Sequence, residues 1–68
     1  MQDDDIDALI GQMFALLTTK FEDGVGLAVE GQVPRPGQIP ELVGRVRALA
    51  HDAIALCDAI AVADASRG

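Results

Sequence analysis

Leu42, Val46, Leu49, Ala53, Leu56, Ile60 and Ala63 are spaced 4, 3, 4, 3, 4, 3 along the chain. Alternating steps of four and three, unbroken over this length, are the seam of a helix packed along another helix. A strand would need a period of two, so this half of the chain can be little else. Pro40 suits the first helical position, and Glu41 stands at i,i+4 to Arg45. The spacing predicts a helix over about residues 40–65, close to 40 Å long at about 1.5 Å per residue.

Outside the seam this helix is unusually apolar. Ala48, Ala55, Ala59 and Val62 fall where water is expected, and Ala50, Ile54, Cys57 and Ala61 flank the seam. A helix that is apolar around most of its girth is buried on more than one side. One neighbouring helix covers only one side, so the remainder calls for a second chain. The expected interface comprises Ala48, Leu49, Ala55, Leu56, Ala59 and Val62, with Leu49 and Leu56 also central to the core.

Upstream, Ile6, Leu9, Ile10, Met13, Phe14, Leu16, Leu17 and Phe21 make one broad apolar helical face. Asp3, Asp4 and Asp5 place negative charge at the positive end of such a helix. Gly24 reads as its C-terminal stop, which predicts a first helix over about 4–23. Residues 24–39 then form a connector. Gly24, Gly26 and Gly31 disfavour helix there, and Gly31-Gln32-Val33-Pro34 is nearly repeated as Gly37-Gln38-Ile39-Pro40. Sixteen residues is long for such a link. Pro34, Pro36 and Pro40 contain no pair three apart, so the stretch reads as a stiffened joint rather than a polyproline ligand. The expected fold is all-α: one domain, residues 1–68, a two-helix hairpin with a long Gly/Pro-containing connector that dimerises into a four-helix bundle. Glu22 and Asp23 sit at the wrong end for their own helix dipole, and in an antiparallel hairpin they would approach Arg45 and Arg47. In a crossover, Asp3 to Asp7 would meet those arginines instead, and the spacing leaves both topologies open.

Composition narrows the function. A chain of 68 residues has little core and needs a staple. Cys57 is the only cysteine and His51 the only histidine, which rules out an internal disulfide and a structural zinc site. A second chain is the staple that remains, most simply another copy in a homodimer, with a different protein partner as the alternative. The formal net charge of −6, with no Trp or Tyr, excludes a basic nucleic-acid stripe, base-stacking platforms and binding to anionic membranes. No apolar run approaches the roughly 20 residues of a membrane span. The acidic opening Met1-Gln2-Asp3-Asp4-Asp5 is unlike a signal peptide, so a cytoplasmic location is expected.

Motif by motif, no site chemistry assembles. Gly24-Val25-Gly26-Leu27-Ala28-Val29 begins like a dinucleotide loop, but Val29 stands where the third glycine belongs. Asp3, Asp5 and Asp7 have the spacing of calcium-loop ligands, but Ala8 and Phe14 replace the glycine and closing glutamate. Cys57 has no basic neighbour to activate it. His51-Asp52, at the outermost heptad position of a helix in a dimeric bundle, is similar to the phosphoacceptor of histidine kinases. That resemblance spans two residues and makes His51 the one candidate phosphoacceptor. No catalytic, cofactor or metal set is expected. The reading is a small non-enzymatic regulatory or adaptor protein that self-associates through its second helix. Two alternatives are a phosphorelay component using His51 and an acidic mimic of nucleic acid that occupies a basic partner.

Overall fold

The computed structural model describes residues 2–33 and 35–67; Met1, Pro34 and Gly68 lie outside them. Two helices, α1 (Asp3–Gly31) and α2 (Ile39–Ala65), account for nearly all of it, with no strand among the described residues. They lie antiparallel. Arg67 pairs with Asp7 at the open end, Lys20 Nζ meets Asp52 Oδ2 at 3.1 Å midway, and Gly31 packs near Leu42 beside the turn.

The first helix is longer than its sequence predicts. Helix was expected to stop near Asp23 and a connector to fill 24–39; instead α1 continues unbroken to Gly31. The turn between Gly31 and Ile39 is correspondingly short. The reason is the length of α2. A first helix ending at Asp23 would leave the opening turns of α2, with Leu42 and Val46, facing nothing. Extending it supplies a partner for each of those turns. Packing along an apolar face commonly outweighs intrinsic propensity, and here it offsets about 1 kcal/mol for each helical glycine. None of Gly24, Gly26 or Gly31 has a positive φ. Among the described residues the one glycine that does is Gly37, φ 78°, in the turn. There the Arg35 N–H donates to Gln38 Oε1 (3.3 Å) and the chain is handed to Ile39 and Pro40.

The side chains of α1 that turn inward are Ile6, Ile10, Met13, Leu17, Lys20, Gly24, Leu27 and Gly31, spaced 4, 3, 4, 3, 4, 3, 4. Opposite them lie Leu42, Leu49, Ala53, Leu56, Ile60 and Ala63 of the seam expected in α2. Val46, also in that seam, is 39% exposed and borders a groove with Ala28 and Gly31 at the edge of the contact. Among the described residues only Ile6, Met13, Leu17 and Leu42 are buried. At the start of α1, Gln2 makes no side-chain capping bond, and Asp3, Asp4 and Asp5 occupy the first turn, so charge rather than a capping hydrogen bond favours that end.

The molecule is a rod, with Cα extents of 52 × 15 × 11 Å and a radius of gyration of 15.8 Å. A compact globule of this length would have a radius of gyration of about 11 Å. Its accessible surface is 4970 Å². A folded monomer of its 7.1 kDa mass exposes about 4,100 Å². The hairpin therefore shows about 900 Å² more than its mass calls for.

Candidate interaction surfaces

Two long flanks border the seam, one on each side. Heptad spacing sorts the side chains onto them, because residues seven apart on a helix share a flank. On the first flank, Phe14 shares a groove with Cys57, Ile60 and Ala61, and farther along Ala28 shares one with Val43 and Val46. Phe21 lies midway between Phe14 and Ala28, with Val25 one turn beyond it; from α2, Ala50 and Ile54 fill the corresponding stretch. These side chains are open to solvent: Phe14 is 54% exposed, Phe21 61%, Val25 63% and Ile54 60%. Thr18 interrupts the apolar run in name only, since its hydroxyl donates to the Phe14 carbonyl at 3.1 Å. Arg47 is the charge near the turn end of this flank, and Asp7, Asp64 and Arg67 close the open end.

The second flank is mixed. Near the open end Leu9 and Met13 border a groove with Ala59, Val62 and Ala63. Midway, Leu16 and Lys20 meet Asp52, Ala55 and Leu56. Toward the turn the lining becomes charged, with Asp23 and Glu30 facing Arg45 and Asp52 across Ala48 and Leu49. Asp23 and Arg45 thus share a groove as the antiparallel arrangement implies, but the ion pairs among the described residues are Lys20–Asp52, Arg67–Asp7 and Arg67–Asp64.

The residues singled out in the sequence fall into separate places. Leu49 and Leu56 turn inward, half-buried against α1. Ala48, Ala55, Ala59 and Val62 lie on the second flank, exposed. Cys57 is an exposed thiol on the first flank. His51 is exposed on the back of α2, away from α1, and the Asp52 carboxylate beside it is engaged by Lys20. No three of His, Cys, Asp and Glu cluster closely enough among the described residues to hold a metal ion. No helix among them is long and apolar enough to cross a membrane.

Sequence reasoning missed Phe14, Phe21 and Val25 as surface residues. In α1 it merged the seam and the flank into one broad apolar face. The strict 4–3 spacing used for α2 would have separated them, because Phe14 and Phe21 lie one step off the line Met13, Leu17, Lys20. No family model, curated protein or solved structure matches this chain.

Proposed function

We propose that the protein works by binding rather than catalysis: a small regulatory or adaptor module that self-associates into a four-helix bundle. The observation that supports this most directly is the surface excess. About 900 Å² of accessible area beyond the expectation for a monomer of this mass is close to the roughly 800 Å² that each partner contributes to a standard protein interface. A two-helix rod with four buried side chains also falls short of the core that lets so small a chain stand alone. A second layer of helices supplies both deficits at once.

Binding also fits the chemistry of the surface. Its exposed groups are aliphatic, aromatic and charged, and among the described residues His51 and Cys57 stand apart on different faces of α2. His51 is set apart by nothing around it, so the phosphorelay reading draws no support from its surroundings. Light scattering or sedimentation at tens of micromolar tests the proposal. The expected particle has about twice the 7.1 kDa chain mass; a compact single-chain particle refutes it.

A further inference from the structure

We infer that the partner is a second copy of this chain, docked on the Phe14–Phe21 flank and running antiparallel, so that each turn lies beside the other copy's open end. This rests on the self-association proposed above and adds the face and the direction.

The face follows from what each flank would bury. Docking on the first flank covers Phe14, Phe21, Val25, Val43, Ile54 and Cys57, of which all but the thiol are large apolar groups. Its charges stand at the two ends, Arg47 near the turn and Arg67 already paired with Asp7 and Asp64 at the open end. The single hydroxyl among them, Thr18, is already satisfied within its own helix and brings no unpaired group into the interface. Docking on the second flank would desolvate Lys20, Asp23, Glu30, Arg45 and Asp52. Burying five charges, of which only Lys20 and Asp52 are paired, is strongly unfavourable. The alanine stripe Ala48–Ala55–Val62 runs through that charged flank and stays in water.

The direction follows from how charge is spread along the rod. The open half, residues 2–17 and 53–67, carries six carboxylates (Asp3, Asp4, Asp5, Asp7, Asp58, Asp64) against Arg67 alone. The turn half, residues 18–52, carries five carboxylates against four cations, Lys20, Arg35, Arg45 and Arg47. Two copies side by side in the same direction would set one strongly acidic half against another. Reversed, each acidic half lies beside a nearly neutral one, and Arg47 on the docking flank faces toward the partner's Asp7 and Asp64 end. Like charges juxtaposed across an interface select against the wrong arrangement. A two-fold axis perpendicular to the rod makes the contact self-complementary and closed.

Thiol protection tests the face without perturbing it. Cys57 should react with a thiol reagent more slowly as protein concentration rises through the dimerisation range. Ala55→Cys in a Cys57→Ser background should react at one rate throughout. Protection of position 55 with none at 57 overturns the assignment while leaving self-association intact; a wild-type particle that stays monomeric removes the proposal beneath it. Ile54→Glu should raise the dimer dissociation constant at least about 100-fold, because the two-fold axis places each substitution in the interface twice. Ala55→Glu should leave it within about threefold, as surface changes do. For direction, spin labels at Ala65→Cys, again with Cys57→Ser, should lie about 40 Å apart, the length of α2. A label separation of about 10–25 Å would show the copies to be parallel.

Discussion

Gly26 is the sharpest probe of the extended first helix. It is exposed, its φ is not positive, and a Cβ built on it meets nothing within 4 Å. Substitution there changes the backbone preference and little else. In a helix interior, Ala is favoured over Gly by about 1 kcal/mol and Pro disfavoured relative to Ala by about 3 kcal/mol. Gly26→Ala should therefore stabilise the protein by about 1 kcal/mol and Gly26→Pro destabilise it by about 2 kcal/mol or more. For a domain of this size each kcal/mol moves Tm by about 4–8 °C, so the two variants should melt about 12–24 °C apart. Far-UV circular dichroism melts at one fixed protein concentration read this out, because self-association makes Tm concentration-dependent. Gly44→Ala, in a stretch of α2 with equally open surroundings, calibrates the gain expected of a helical glycine. A Gly26→Pro variant melting within about 0.5 kcal/mol of wild type would mean that 24–31 is a loop, and the account of α1 matching α2 would fail.

Gly37→Ala should have the opposite sign to Gly26→Ala, losing about 1–2 kcal/mol, because its φ of 78° is a left-handed conformation that a Cβ strains; denaturant melts give the difference. Leu17→Ala and Leu42→Ala, at two of the four buried positions, should each cost about 2–5 kcal/mol. That is a large share of the stability available to so short a chain, so a loss below about 0.5 kcal/mol in both would show that the seam is not the core.

The second helix was legible from the sequence almost residue by residue, because its seam is written in side chains whose 4–3 spacing has no other structural meaning. The antiparallel pairing was only hinted at, by Glu22 and Asp23 facing Arg45 and Arg47; the sixteen-residue connector read from the glycines left a crossover open, and the short turn after Gly31 closes it. Where α1 ends was not legible. Gly24 and Gly26 carry the local signal of a stop, and that signal is correct as far as propensity goes. It loses because Leu27 completes the inward line and the first turns of α2 need something to lie against, a demand that exists only once both helices are placed side by side. The same holds for the surface. The sequence already implied that α2 has more apolar girth than one partner covers, since composition around a helix is countable. Which flank is the apolar one depends on how the flanks of two helices combine. Phe14 meets Cys57, Ile60 and Ala61 on one side, while Asp23 and Glu30 meet Arg45 and Asp52 on the other. Each helix alone is ambiguous, and only their packing sorts apolar from charged.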